Sequence, residues 1–300
     1  MSPQLIQSSI EIIIGILTLF AGGEFFVQGA ASLSLILGIP QLVIGLTVVS
    51  LGTSAPELFV SVGSFFRGSD AIALGNIVGS NIFNVLVVLG SSALVMPLRV
   101  ESRLVRRDVP LLLAVSAAVW GMASSGNFSW QSGIALLIAL GINTIWEIRT
   151  AREEPQSIKE AEPEIKLNSY SKKWLRAIGK IIAGILILGF GSNLLISGAK
   201  SLASSYGWSE TVIGLTIVSA GTSMPELVTS LVASLRGKTD LAIGNVIGSS
   251  LLNQLLVLGS CALLSGNNGL VVEEVLIQRD IPIMILTVLA CMPIFWTKGI

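Results

Sequence analysis

The feature that most constrains this chain is an acid set inside an apolar run, and set there twice. Gly52-Thr53-Ser54-Ala55-Pro56-Glu57 interrupts one hydrophobic stretch, and 169 residues later the chain reads Gly221-Thr222-Ser223-Met224-Pro225-Glu226. A charge at bilayer depth costs several kcal/mol, about 2.5–3.5 on insertion scales, so an intramembrane acid marks a functional site by default. Proline lacks an N–H and glycine tolerates sharp turns, so each motif predicts a helix broken beside its glutamate. The backbone groups freed by such a break are tolerated in lipid only where they line a cavity or meet a ligand. The two motifs therefore read as the two halves of one cation site.

The apolar setting extends along the whole chain. Of 300 residues, 52% are hydrophobic and 12% charged, with a mean hydropathy of +0.82. A soluble domain carries about 25% charged residues. Nine candidate spans run approximately over 10–36, 40–66, 71–95, 105–123, 130–148, 174–204, 209–235, 240–264 and 275–297, with a crossing helix needing about 20 residues. An all-α polytopic membrane protein in a lipid bilayer follows. Net charge is zero and no basic patch with interleaved aromatics is present, so nucleic acid is not a partner. The chain has no histidine, which removes Ser/His and Cys/His nucleophiles, histidine proton relays and imidazole metal sites together. Cys261 and Cys291 lie in separate apolar segments without metal-ligand spacing and read as packing residues. The first apolar segment is too long for a signal-peptide core and lacks a basic leader, so it reads as a retained helix.

Residues 45–94 align with 214–263 without a gap, at 27 identities in 50 positions. Gly29 pairs with Gly198 and Gly38 with Gly207 at the same offset, and Arg107-Asp108-Val109-Pro110 matches Arg279-Asp280-Ile281-Pro282 at an offset of 172. The unit is about five spans. An odd number of spans inserts the second copy from the opposite side, the inverted-repeat plan of secondary transporters. Residues 1–148 form the first repeat and 174–300 the second, joined by the polar, solvated linker 149–173 that contains Pro155 and Pro163. With the N-terminus outside, 15 of 18 lysines and arginines fall on the inner side, the linker being cytoplasmic, while Arg67, Lys200 and Arg279 fall outside. The plasma (inner) membrane of a prokaryote fits this plan. The fifth span has no counterpart before Ile300, so a tenth helix is missing at the C-terminus, lost or beyond a shortened sequence.

Each half carries two linked motifs. The first is Ser50-x-Gly52-Thr53-Ser54-x-Pro56-Glu57, matched by Ser219-x-Gly221-Thr222-Ser223-x-Pro225-Glu226. The second is Gly75-Asn76-x-x-Gly79-Ser80-x-x-x-Asn84, matched by Gly244-Asn245-x-x-Gly248-Ser249-x-x-x-Asn253. A spacing of four puts Ser80 with Asn84, and Ser249 with Asn253, on one helix face. Carboxylate, hydroxyl, amide and backbone carbonyl are hard oxygen donors, suited to Ca²⁺ and by the same reasoning Na⁺. The lack of thiolate and imidazole argues against zinc or copper. Two carboxylates balance one divalent or two monovalent ions. The glycines at 75, 79, 244 and 248 read as close helix packing.

These motifs resemble the alpha-repeats of the sodium/calcium exchanger family, within the calcium/cation antiporter superfamily. The likeness is dense over the second, third, seventh and eighth spans and loose elsewhere. It implies ten helices in two inverted halves, four ion sites in a central diamond, Ca²⁺ and Na⁺ as transported ions, and no cofactor. It implies that Glu57 and Glu226 coordinate both ions, aided by carbonyls and hydroxyls of Thr53, Ser54, Thr222 and Ser223. Ser80 and Ser249 would serve sodium, with Asn84 and Asn253 the polar residues four later. Asn253 stands where many members carry aspartate. The amide keeps an oxygen but no charge, which bears on potassium co-transport and leaves the two-glutamate site intact. The first and sixth spans look, by resemblance, like the pair that slides to switch access.

The leading reading is a Na⁺/Ca²⁺ antiporter working by alternating access. A proton-coupled cation antiporter on the same fold is the alternative, disfavoured by the hydroxyl-rich set that suits Na⁺. An intramembrane two-carboxylate enzyme and a non-transporting ion sensor are more remote. Glu24, aligned with Asn193, reads as a structural hydrogen bond or a position in the outer half of its helix rather than an ion-path residue. Asp108 and Asp280 read as interfacial ion pairs or helix-start carboxylates, and Asp70 and Asp240 as caps.

Overall fold

The computed structural model describes residues 3–98, 103–153, 167–207 and 219–296. Most of the 149–173 linker, the first half of the 209–235 span and Lys298 lie outside the described residues. The chain is helical nearly throughout, as lipid requires when backbone groups must be satisfied within each segment. Helix α1 is Pro3–Leu37. A broken helix follows, built from α2 (Gln41–Ile44), a π-helical stretch Gly45–Val49, α3 (Ser50–Thr53) and α4 (Ala55–Phe66). Then come α5 (Asp70–Phe83), α6 (Gly90–Val95), α7 (Val109–Ala123) and α8 (Trp130–Glu153). The second half runs α9 (Leu167–Ser205), α10 (Ser219–Thr222), α11 (Met224–Leu235), α12 (Thr239–Leu252), α13 (Gly259–Leu264) and α14 (Ile281–Trp296). Among the described residues, five helices are by themselves long and apolar enough to cross a bilayer, and the bent pair 41–53 with 55–66 makes a sixth. Of the other three expected spans, two are helical over Leu104–Ala123 and Leu276–Trp296, and the third is described from Ser219.

Two π-helical stretches recur in matched places. Asn84–Leu89 follows α5 and Asn253–Leu258 follows α12, while Leu104–Asp108 and Leu276–Asp280 precede α7 and α14. Such bulges concentrate at functional sites. Two-residue strands, β1 (Asn127–Phe128) and β2 (Leu270–Val271), pair antiparallel and tie a loop of each half to the other.

Helices α1 and α9 run antiparallel along one another, and glycines hold them close. A Cβ at Gly15, Gly22 or Gly29 would come within 2.8–2.9 Å of backbone atoms of Leu195, Leu188 and Ala177, and one at Gly184, Gly191 or Gly198 within 2.7–2.9 Å of Phe26, Leu19 and Ser8. Both triplets are spaced by seven, two helical turns, and the offset between them is again 169. Small residues let membrane helices approach to backbone contact. Leu17, Leu186 and Phe190 on the outward faces of this pair are exposed, as are Ile138 and Ile142 of α8, and these faces meet lipid.

At the centre lie α5 and α12, the latter buried along its whole length except Asp240. Gly45 and Gly244 face each other with Cα atoms so close that a Cβ on either would lie 3.0 Å from the other. A Cβ at Gly248 would meet the Leu46 carbonyl at 2.6 Å. The packing reading of the second-motif glycines holds at Gly244 and Gly248. Cys261 is buried in the same apolar core, and Cys291 packs against it.

Some local expectations need correction. The break is centred on Ser54 (φ −81°, ψ 4°) and on Ser223 (φ −86°, ψ 5°), with a 44° bend at the first. Gly52 is not the turn. It stays within α3, where a Cβ would meet the Phe26 ring at 2.8 Å and Ile185 at 3.0 Å. Pro56 and Pro225 sit in the first turn after each break, where a missing N–H removes no helical bond. Asp70 is not the cap of α5. The cap position is Ser69, and the Asp70 carboxylate accepts the Val271 N–H at 3.0 Å. Asp240 likewise lies within the first turn of α12, after Lys238 at the cap position. A first-turn carboxylate still complements the helix dipole, so the acids suit their places for a different reason.

Candidate cation site

The two breaks bring each motif's glutamate beneath the other motif's serine. Ser54 Oγ donates to Glu226 Oε1 at 3.0 Å, and Ser223 Oγ donates to Glu57 Oε1 at 2.9 Å. All four side chains are buried, both glutamates at 0% exposure. Ser249 Oγ adds a longer bond of 3.4 Å to Glu226 Oε1 and lies 3.4 Å from Thr53 Oγ1. Thr53 Oγ1 donates to Asn245 Oδ1 at 3.0 Å, and Thr222 Oγ1 to Asn76 Oδ1 at 3.2 Å.

One oxygen of each carboxylate is thus engaged, and the other is not. Glu57 Oε2 and Glu226 Oε2 are buried without a hydrogen-bond partner, as are Ser80 Oγ and both polar atoms of Asn84 and of Asn253. Unpartnered polar atoms are rare in folded proteins, and each calls for an explanation. Of the fourteen such side-chain atoms among the described residues, seven fall on five of the twelve expected ligands and seven on other residues, Gln254 and Ser250 among them. A cation between the glutamates would take lone pairs from the oxygens among the seven ligand atoms, though not from the two amide nitrogens, so the oxygen set fits a hard ion. Asn84 and Asn253 each begin a π-helical stretch.

Ser50 and Ser219 are buried but join no bond to a carboxylate. Ser50 Oγ donates to the Leu46 and Thr47 carbonyls at 2.8 and 3.1 Å, and it closes the space above Gly248. Ser219 stands in the matching place over Gly79, where a Cβ would be 2.9 Å from its hydroxyl. Their lone pairs remain open to an ion. No group of three or more His, Cys, Asp or Glu side chains able to hold a metal occurs among the described residues. The fixed charge of this cluster therefore stops at two carboxylates.

Sequence reasoning passed over Asn76 and Asn245 as site residues, although both are identical across the repeat beside glycines singled out for packing. It also passed over Glu147. That residue is buried and paired with Arg103 and Arg107, the latter also bonded to Asp108 at 3.0 Å and lying over Trp146 at 5.2 Å. The ion-pair readings of Asp108 and Asp280 hold. Glu24 makes structural bonds, to Arg236 and Gln28, the first of the two readings expected of it. It lies past the middle of α1, against the C-terminal end of α11, with Lys180 Nζ donating to Gln28 Oε1 at 2.7 Å.

Comparison with known proteins gives a consistent picture. The family model described as sodium/calcium exchanger protein matches residues 8–149 and 176–298. The chain is 33% identical over 290 residues to the putative antiporter CaxA of Alkalimonas amylolytica, covering 95% of this chain and 89% of that protein. It is 28% identical over 281 residues to the sodium/calcium exchanger MaX1 of Methanosarcina acetivorans, covering 83% and 80%. A solved structure of the sodium-calcium exchanger NCX_Mj, soaked with 10 mM Na⁺ and zero Ca²⁺, superposes with a TM-score of 0.83 at 28% identity, over 98% of this chain and 93% of that one.

Proposed function

The chain belongs to the sodium/calcium exchanger family, and from that premise we propose that it exchanges Na⁺ for Ca²⁺ at a site between Glu57 and Glu226. It is an integral, multi-pass, all-α membrane protein of a transporter family, not an enzyme. The observation that carries the reading is the pattern of unpartnered buried oxygens: Oε2 of both glutamates, Ser80 Oγ, Asn84 Oδ1 and Asn253 Oδ1.

Residues 1–148 and 174–300 act as two oppositely inserted halves, with the N-terminus outside and the 149–173 segment cytoplasmic. Glu57 and Glu226 replace most of the ion's water shell, with Thr53, Ser54, Thr222 and Ser223 shaping the two breaks. Ser80, Ser249, Asn84, Asn253, Ser50 and Ser219 supply neutral oxygens. Two carboxylates neutralise one Ca²⁺ or two Na⁺. Leaving both ionised and unpaired in a low-dielectric chamber costs several kcal/mol, so the loaded states are favoured over the empty one. Alternating access follows if the α1/α9 pair moves against the rest, opening the chamber to one side at a time. The glycine ladders support this, because they bind that pair to itself more tightly than to the bundle.

The test is ⁴⁵Ca²⁺ flux in proteoliposomes with Na⁺, K⁺ and H⁺ gradients imposed singly. Uptake is expected with the Na⁺ gradient. Equal flux driven by a pH gradient without sodium would replace this reading with the proton-coupled one.

A further inference from the structure

We propose that Asn76 and Asn245 are positioning residues for ion binding, each closing a ring of bonds that aims one glutamate oxygen into the chamber. The inference rests on the exchange reading above only for the identity of the ions. Its basis is the order in which the bonds connect. Glu57 and Ser61 lie one turn apart on α4. Ser61 Oγ accepts from Asn76 Nδ2 at 3.0 Å, Asn76 Oδ1 accepts from Thr222 Oγ1 at 3.2 Å, a hydroxyl shared with the Ser219 carbonyl at 2.9 Å, and the next residue, Ser223, donates to Glu57 Oε1 at 2.9 Å. The path returns to its starting side chain. The second half builds the same ring: Glu226 and Ser230 on α11, Asn245 Nδ2 to Ser230 Oγ at 2.9 Å, Thr53 Oγ1 to Asn245 Oδ1 at 3.0 Å, and Ser54 Oγ to Glu226 Oε1 at 3.0 Å. Asn245 Nδ2 also reaches the Glu226 carbonyl at 3.3 Å. Every member of both rings is buried.

An amide suits this place. It must accept from a threonine on one side and donate to a serine on the other, and a carboxamide is the short side chain that does both at once. Each ring crosses between the halves twice, so the break of one half is registered against the glutamate helix of the other. With Oε1 held by serine, Oε2 has a single direction left. Partners behind a metal ligand that fix its orientation typically contribute about 10–100-fold to affinity.

The rings make a prediction that a general packing role does not. In proteoliposomes, Asn76→Ala and Thr222→Val are each expected to raise the KM for Ca²⁺ about tenfold with kcat changed far less. The double variant within one ring should be no worse than either single change, because the ring is already open. Asn76→Ala combined with Thr53→Val opens both rings, and the two losses should multiply. Thr222→Ser keeps the hydroxyl and should restore most of the affinity. Thr222→Val keeps side-chain shape and serves as the arm that folds should Asn76→Ala fail to. Multiplying losses within one ring, or an unchanged KM in Thr222→Val, would overturn the proposal. The same set is read by ⁴⁵Ca²⁺ binding to purified protein in detergent. If the parent protein binds Ca²⁺ but shows no sodium-driven flux, the exchange reading fails while the ring pattern in binding still decides this one.

Discussion

At Arg236, where the second glutamate helix ends, the guanidinium meets Glu24 of α1, and Gln28 passes the contact on to Lys180 of α9. At the repeat-related Arg67 no ion pair forms among the described residues, and the position related to Glu24 is Asn193. Near α8, Glu147 is enclosed with Arg103 and Arg107, whereas the related pair Arg279 and Asp280 lies at the surface. At the centre the two halves repeat the bonds of Ser54 on Glu226 and Ser223 on Glu57, although Ser249 also reaches Glu226 while Ser80 Oγ is unpartnered. On the proposed reading an ion between the halves would meet both at once, so a change in either ring would alter the same site. The rim carries no such shared demand, and there the halves have diverged.

The comparison is broken most directly at the centre. Glu57→Gln and Glu226→Gln should each abolish sodium-driven ⁴⁵Ca²⁺ uptake, a loss of more than about 100-fold, since a charged ligand is removed from a low-dielectric site. Near-normal uptake in one of the two would show that the halves are not equivalent and would remove the central claim.

A smaller effect separates the rims. Glu147→Ala removes the carboxylate that Arg103 and Arg107 share in a largely buried setting and should cost about 3 kcal/mol, read as a lowered melting temperature in detergent. Asp280→Ala, at an exposed pair, should cost under about 1 kcal/mol. Equal losses would mean that the two ends bury their charges alike.

The amides sharpen the central symmetry. Asn253→Asp places a third carboxylate in the chamber and should favour the divalent ion, raising the Ca²⁺-over-Na⁺ preference about tenfold, or about 1.4 kcal/mol. Asn84→Asp should shift competition binding by the same factor; opposite shifts would count against a symmetric chamber.

The weakest expected effect concerns Glu24. The pair with Arg236 is partly exposed and contributes about 0.5–1 kcal/mol. If it ties the α1/α9 pair to the bundle on one side, Glu24→Gln should change the ratio of Ca²⁺ affinities at the two membrane faces by about two- to fivefold. Asn193→Glu, supplying Arg67 with a partner, should move that ratio the other way. Identical ratios in all three proteins would leave the pair without a part in access.

Much of the site was legible because the chain states it twice. Repetition at a fixed offset lifts Glu57, Ser80 and Asn84 above the background of a hydrophobic chain, and Glu226, Ser249 and Asn253 with them. The same signal was present for Asn76, Asn245 and the glycines at 15, 22, 184 and 191, but single-residue chemistry gave no reason to weigh an asparagine that touches no ion. Nothing local marked Glu147, since an acid near a span end is ordinary until an opposing helix brings two arginines to it.

By itself the sequence determined the class: helices in lipid, two related halves, and an acid in each, because hydropathy and repetition are carried by residues one after another. Only the tertiary structure decided where each helix breaks, that Ser54 answers Glu226 and Ser223 answers Glu57, and which carboxylate oxygen stays unpartnered. Those choices belong to pairs of residues about 170 positions apart, and hydrogen bonds across such a distance exist only once the two halves have closed on each other.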